Sequence, residues 1–544
     1  MDPSGPIVRQ FRQILLWPVQ LVANDGATIR DHWDTLVSSN GGRWKEVDDE
    51  FTGDHAAFQE RHYHEFVSFL PYVQRFLYGG QLGRARTDGY GESPMRVFRR
   101  TDVARLRAQL TEHTPPVEFD VTHVDLYFFY DLDIAILAVE IAAADLPLAL
   151  VQDAMFRLGR AYPAYWEADD SAGNCARLVQ WLGPQGEVLA SSDYERRERF
   201  LHYVSDHRAP RLAVHWTFLL HPIVGDLNER STGLRLRQLE YYRMPLLAYL
   251  AMDDPRMLDR ASFVRLAFAS PPGDEGALPY SAWHLRDFES EFCFDRDWHP
   301  SGERESIRYL CCGHAFAAIG PTGSRYFTDP ENGILGQFRH ALFLLALIAH
   351  VHRAALLMFS DRLTIAISAM RIDDARSVRD FRREIRATLE TFLRFTHRYW
   401  FQEVSDQGHA RHLFRMWSRH LNTAELYKEV REELADMNQY LEAGSQRRQT
   451  NTMVRLTVVT TFGLIGTVAT GFLGMNLIAA AEQPWISKLG YFAAVLIPVI
   501  GLTFYTVMKS GRLADFLETL ADERATAHAR WTALRDIWPR RRRV

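Results

Sequence analysis

Eleven positions recur at alternating steps of four and three: Gln439, Ala443, Gln446, Thr450, Met453, Thr457, Thr460, Leu464, Thr467, Gly471 and Gly474. On a helix, that spacing gathers them on one face turned toward a common axis. The later part of the stripe is rich in hydroxyls and glycine, and Gly474-Met475-Asn476 closes it. Two chemistries suit such a line. Glycine and threonine let membrane helices approach closely and hydrogen-bond across the contact. The same residues, repeated by several copies of the helix, would wall a wet pore whose oxygens meet an ion. The stripe by itself leaves both open.

The elements that must carry it are legible. Leu456 to Leu473 holds no charged residue, and Leu489 to Met508 holds none either. Each is about 20 residues, enough at ~1.5 Å per residue to cross a ~30 Å hydrocarbon layer. Only helices or closed barrels satisfy their backbone there, so two such runs joined by a short loop predict a helical hairpin. Arg447, Arg448 and Arg455 precede the first run, and Lys509 and Arg512 follow the second. The loop carries only Lys488 against Glu482. The positive-inside rule then places both termini in the cytoplasm and the hairpin, as a multi-pass anchor, in the plasma (inner) membrane. Asn422-Thr423-Ala424-Glu425 has capping-box spacing, which predicts a helix from there to Asn476. Leu426, Val430, Leu434, Met437 and Leu441 form its apolar seam.

The remaining chain reads as a sheet covered by helices. With 544 residues and 47% apolar content it can bury a large core or two ordinary domains. The formal charge of −5 carries no signature of a nucleic-acid partner. Cys175, Cys293, Cys311 and Cys312 make neither a disulfide framework nor a C-x-x-C pair. The first residues read as no cleavable signal. Expected strands are Ile14 to Val22, a hairpin of Val121–Tyr130 with Ile134–Ile141, Leu212–Leu220, Val264–Ala269 and Tyr309–Ile319. Leu148–Arg160 and Ser377–Phe401 have helical spacing. Asp25 to Arg100 is polar and turn-rich, with an aromatic patch, Phe66 to Tyr72, that should pack on the main body. Ile334 to Met358 is apolar enough to span a membrane. His350, His352 and Arg353 within it make it a buried core helix instead. The resulting order is a cytoplasmic α/β region (1–370), a helical region (371–421), a stalk helix (422–455), a first span (456–476), a loop (477–488), a second span (489–508) and a basic tail (509–544). Within the tail, Leu513–Trp538 reads as an amphipathic helix and Arg540–Arg543 as a group suited to anionic lipid heads, acidic helices or simple solubility.

Sites for resident metal or catalysis are weak. Glu46, Asp48, Asp49, Glu50, Asp373 and Asp374 read as solvated charge. Glu289, Glu291, Cys293, Asp295, Asp297 and His299 alternate as on a strand edge and would offer one face to a metal, with His62-Tyr63-His64 a lesser candidate. No G-x-S-x-G, H-E-x-x-H or phosphate loop is present, so the chain does not read as an enzyme.

Gly474-Met475-Asn476 stands at the outer end of the first of two C-terminal apolar helices, after a long helix and before a short loop. In this the chain resembles the CorA family of divalent-cation transporters. Thr467 matches the family's threonine nine residues before the asparagine. Met453, Leu456 and Leu464 match its apolar constriction, and Glu482 its acidic loop residue. The resemblance covers roughly Asn422 to Arg512. Ile478 stands where some members carry a second loop acid, and Thr450, beside Asn451, where an asparagine is common. The soluble region is also longer than usual.

The resemblance implies a homopentamer in membrane lipid, with a cytoplasmic funnel and one axial pore. Gly474, Met475 and Asn476 would form its filter, holding hydrated Mg²⁺ through first-shell waters, which the ion releases reluctantly. Thr467 would be a second polar ring, with Thr450, Thr457, Thr460 and Gly471 as further lining. Met453, Leu456 and Leu464 would make a neck that shuts by dewetting, and Glu482 would concentrate cations at the mouth. Mg²⁺ would be cargo and, in the cytoplasm, a closing ligand at a site the sequence does not single out; no organic cofactor is implied. The inside-negative potential supplies ~2.3 kcal/mol per charge per 100 mV, hence ~4.6 for a divalent ion. Rival readings are a Zn²⁺, Co²⁺ or Ni²⁺ transporter of the ZntB-like branch, against which Met475 speaks, and a membrane-anchored sensor or scaffold that does not conduct.

Overall fold

The computed structural model describes residues 5–22, 43–47, 60–79, 94–169, 171–225, 234–240, 243–301, 306–371 and 374–477, with single positions at 33 and 36 and several between 484 and 505. The chain divides into two compact units, Met1–Glu432 and Glu433–Val544.

The first unit is built on a sheet that has 14 strands among the described residues. In chain order they are β1 (Ile7–Val22), β2 (Trp44–Glu46), β3 (Met95–Arg100), β4 (Arg105–Gln109), β5 (Val117–Phe129), β6 (Leu132–Pro147), β7 (Leu178–Leu182), β8 (Val188–Ser191), β9 (Val224–Gly225), β10 (Arg235–Gln238), β11 (Leu246–Met252), β12 (Cys293–Asp297), β13 (Ile307–Cys311) and β14 (Ala315–Pro321). The main path runs β12-β13-β14-β11-β1-β6-β5-β4-β7-β8. Among the described residues only the β11–β14 and β9–β10 ladders are parallel. The helices are α1 (Glu60–Val67), α2 (Pro71–Tyr78), α3 (Leu148–Arg157), α4 (Arg197–His207), α5 (Val214–Leu220), α6 (Arg260–Phe268), α7 (Phe288–Phe292), α8 (Arg325–Thr328), α9 (Ile334–Arg339), α10 (Ala341–Ala369), α11 (Ala375–Arg398), α12 (Gly408–His420) and α13 (Thr423–Leu477).

Strand β1 is the spine of the sheet. It pairs with β6 from Ile7 to Gln20 and with β11 on its other edge. Phe11, Leu15, Trp17, Val19 and Leu21 point into the main core, while Ile14 and Leu16 are equally buried on the opposite side, where α10 packs on β1 and β6. A strand buried on both faces needs no polar alternation, which is why Ile14–Val22 reads as a continuous apolar run. The expected hairpin is present: Phe129 pairs with Leu132 across the Tyr130-Asp131 turn. The Asp131 carboxylate accepts from Arg398 of α11, which ties the turn to the helical layer.

Two expected strands are helices. Leu212–Leu220 contains α5, with His215, Trp216, Leu219 and Leu220 buried and Val214 exposed; pairs spaced by four turn the apolar run into one helical face. Val264–Ala269 belongs to α6, which starts where the Asp259 carboxylate accepts from the Ser262 N–H at 2.7 Å and stops at left-handed Ala269. Its side chains are buried nearly all round, so periodicity cannot separate it from a strand. The single strand expected over Tyr309–Ile319 is an antiparallel pair, β13 and β14. The reversal passes through Gly313 at φ +84°, where a Cβ would lie 3.0 Å from the His420 carbonyl oxygen; only glycine fits there.

The aromatic patch does pack on the main body: Phe69 is buried, and the Tyr72 ring meets Phe401 at 5.5 Å. Stretch Ile334–Ala369 (α9 and α10) is, among the described residues, the one helical run long and apolar enough to cross a membrane. It is a core element, with 89% of its most apolar window buried. It rests on the sheet and carries α11 and α12 on its outer side. The His352 Nε2 meets the Tyr399 carbonyl, and Arg353 binds Glu240 and the Leu421 carbonyl, both at 2.6 Å. Those partners are available in a folded core and absent in lipid. At the edge of this layer Glu140, nearly inaccessible, receives Arg12 at 2.8 Å and Arg339 at 3.1 Å.

Glu140→Ala leaves two arginines without their carboxylate and should cost about 3–5 kcal/mol in chemical denaturation. A second prediction concerns pH. Burial pulls His350 down to about 3 and His352 to about 4, below the ~6.5 of an unfolded histidine. The unfolded chain therefore binds more protons in this window, so the stability is complete above ~6.5 and falls as pH drops toward 4. Melting midpoints at pH 7.5 and 5 should differ less in His350→Leu than in the parent.

Candidate functional site

The candidate site lies on α13, one helix of 55 residues. Its start is as expected, although the cap differs. Asn422 enters in the left-handed conformation at φ +53°, its carbonyl accepting from the Leu426 N–H at 3.2 Å, and the Thr423 hydroxyl turns back to Ser418. Asparagine tolerates that conformation, so α12 and α13 join within two residues. An aromatic stack that spacing could not reveal holds the root of α13. The Tyr427 ring lies on Trp400 at 4.4 Å and 9°, and on Phe392 at 5.6 Å. Val430, Leu434 and Leu441 of the apolar seam are buried, and Gly444 does not interrupt the helix.

Further along, the described side chains sort into two faces. Met453 is 71% and Leu456 63% exposed, and Thr457, Thr460, Thr467 and Gly471 are exposed with them. Val458 and Gly466 are buried. At ~100° per residue, Thr457, Thr460, Thr467 and Gly471 fall within about 40° of Met453, whereas Val458 and Gly466 lie about 140° away on either side. The stripe is thus the open face of the helix, and the buried face is opposite it.

The hydroxyls on the open face donate to carbonyls of their own helix. Thr457 donates to the Met453 carbonyl at 2.9 Å, Thr460 to Leu456 at 3.0 Å and Thr467 to Gly463 at 2.9 Å. A hydroxyl has one proton and two acceptor lone pairs. With its proton given to the preceding turn, each threonine oxygen keeps acceptor lone pairs. A Cβ built on Gly471 meets nothing within 4 Å, so the face stays open there. The backbone of Gly474, Met475 and Asn476 continues the helix to Leu477. The side chains of Thr450, Leu464, Met475 and Asn476, the whole of Glu482, and the tail from 509 to 544 lie outside the described residues. All described positions from 489 to 505 are helical.

The alternating cluster is not a metal site. Glu289 and Glu291 belong to α7, before the strand begins. Glu289 is taken by Arg260 at 2.6 Å, and Asp295 holds Arg308 through two contacts of 2.8 and 2.7 Å. Cys293 is buried in the core, its thiol pushed up to about 12 by burial. Among the described residues no group of three or more His, Cys, Asp or Glu could hold a metal ion. Glu46 lies 3.6 Å from Arg96, and Asp374 caps α11 by accepting from the Arg376 N–H; Asp48, Asp49, Glu50 and Asp373 lie outside the described residues.

Residues 357–509 match the family model of the CorA-like Mg²⁺ transporter protein. This stretch of the chain is similar to that family of transporters. The match begins within α10 and takes in α11, α12 and α13. Comparison with curated proteins and with solved structures returns no match.

If Asp295 serves Arg308 and not a metal, Asp295→Asn lowers stability by about 1–3 kcal/mol, the worth of a charged hydrogen-bonded pair. The loss should be the same in chelator and in millimolar Mg²⁺, as read from paired denaturation curves.

Proposed function

We propose that the chain forms a homopentameric, potential-driven divalent-cation channel of the CorA type, with Mg²⁺ as its cargo. The observation that carries this reading is that the family match takes in α13, whose open face bears the threonine stripe and whose last turn is Gly474-Met475-Asn476. Five copies of that face around an axis would surround water with acceptor oxygens. Backbone carbonyl at Gly474 and carboxamide at Asn476 would hold the hydrated ion at the mouth without stripping it. Neutral ligands suit throughput, because a carboxylate ring would bind Mg²⁺ more tightly and release it more slowly, and conduction needs weak binding at several sites. Exposed Met453 and Leu456 would close the pore on the cytoplasmic side by excluding water. The loop acid Glu482 would raise the local cation concentration, partly offset by Lys488.

Purified protein in liposomes under an inside-negative potential should take up Mg²⁺ faster than Zn²⁺ or Co²⁺. Asn476→Ala should lower that flux at least about tenfold, equivalent to ~1.4 kcal/mol of ion stabilisation; Thr467→Val should lower it less. Preference for Zn²⁺ would move the protein to the ZntB-like reading. Absence of any flux would leave a membrane-anchored sensor, and a monomeric particle in detergent would end the pore reading.

A further inference from the structure

Two helix faces of the first unit carry charge that finds no partner in the chain. On α11, Arg376, Arg379, Arg383 and Arg386 are exposed and recur at steps of three, four and three. At ~100° per residue they fall within about 80° of one another. Phe381, Ile385 and Phe392 are buried on the opposite side of that helix. Arg383 meets Asp380 at 2.9 Å; Arg376, Arg379 and Arg386 meet no carboxylate among the described residues. On α13, Glu425, Glu429 and Glu432 are exposed at steps of four and three, within about 60° of one another. Val430 and Leu434 are buried behind them, and none of the three carboxylates meets an arginine or lysine among the described residues. Like charges at three- and four-residue steps destabilise a helix, so each ridge carries a cost that a partner of opposite sign offsets.

The two helices are neighbours: the Phe392 ring meets Tyr427 at 5.6 Å, and the Thr396 and Tyr427 hydroxyls lie 3.4 Å apart. Their ridges nevertheless do not meet within the chain. A second copy supplies what each ridge lacks. We propose that the arginine ridge of α11 in one copy lies on the carboxylate ridge of α13 in the next. The faces are different, so the contact is heterologous, and it closes into a ring when the rotation between copies allows. At ~1.5 Å per residue, Arg376 to Arg386 runs about 15 Å and Glu425 to Glu432 about 11 Å, so one ridge covers the other. An anionic bilayer is the poorer occupant. Glu390 follows Arg386 on the same face and Glu384 stands on its flank, so a broad negative surface meets carboxylate along with arginine. Exposed ion pairs are weak singly, and this seam selects which faces meet more than it supplies affinity. The inference rests on the oligomer proposed above, and not on conduction or on the cargo.

Arg383→Cys and Glu429→Cys are introduced into the full-length protein, whose own cysteines are buried or half-buried, and treated in detergent with a short flexible bismaleimide. The double variant should give a ladder of covalent oligomers on a denaturing gel. The two single variants, co-expressed, should give dimers and nothing longer. Adding Arg379→Glu and Arg386→Glu to the double variant should lower the yield at least about fivefold, the scale of a few exposed ion pairs. Further addition of Glu425→Lys and Glu432→Lys should restore it, which a folding defect would not allow; a yield indifferent to both changes overturns the charge pairing. Native mass of the same sample separates this seam from the pore reading. A monomer ends both, whereas an oligomer that gives no ladder overturns the seam alone, whether the arginines then face water or anionic lipid heads. A ladder from Glu429→Cys by itself, which sets the carboxylate ridges against one another, overturns it as well.

Discussion

The threonine hydroxyl, holding its own proton to the turn before it, is the interaction on which the proposed pore depends. In an apolar setting an unpaired donor is costly, and Thr457, Thr460 and Thr467 each avoid that cost within their own helix. Each oxygen keeps its lone pairs once the proton is given away. Gly471, one helical turn past Thr467, leaves the same face open, since a Cβ there would meet nothing within 4 Å.

That face can serve only if the rest of α13 is spoken for. Val458 and Gly466 are buried on the far side of the helix, and at its root Tyr427 is clamped between Trp400 and Phe392. The helices that supply the clamp are seated on α10, a helix apolar enough to be mistaken for a membrane span. His352 and Arg353 decide the matter through their partners: a backbone carbonyl, a carboxylate and the Leu421 carbonyl just past α12. The first unit thus holds the root of the long helix, and the family match starts within α10 and not at the first apolar run of α13.

Charge in the first unit is spent on architecture. Arginine and carboxylate meet at Glu140 and Asp131 between elements far apart in the chain, and at Asp295 and Glu289 between nearer ones. In the alternating run, Glu289 and Asp295 are therefore already paired with arginine.

Much was settled by local rules that act within a few residues. The four-and-three stripe, the start of α13 at Thr423, the β5–β6 hairpin and the buried character of α10 all follow from periodicity, turn chemistry and the cost of burying charge. Resemblance to a transporter family was likewise visible in Gly474-Met475-Asn476 and the residues before it. Tertiary structure alone decided the rest. Apolar runs at Leu212–Leu220 and Val264–Ala269 fit strand or helix equally, until a core on one side or on all sides chose helix. Glu289 to His299 alternates like a metal edge, yet Arg260 and Arg308 arrive from elsewhere and take Glu289 and Asp295. Which face of α13 stays open, and which arginine meets which carboxylate, are matters of distance in space, and the order of residues along a chain does not contain that distance.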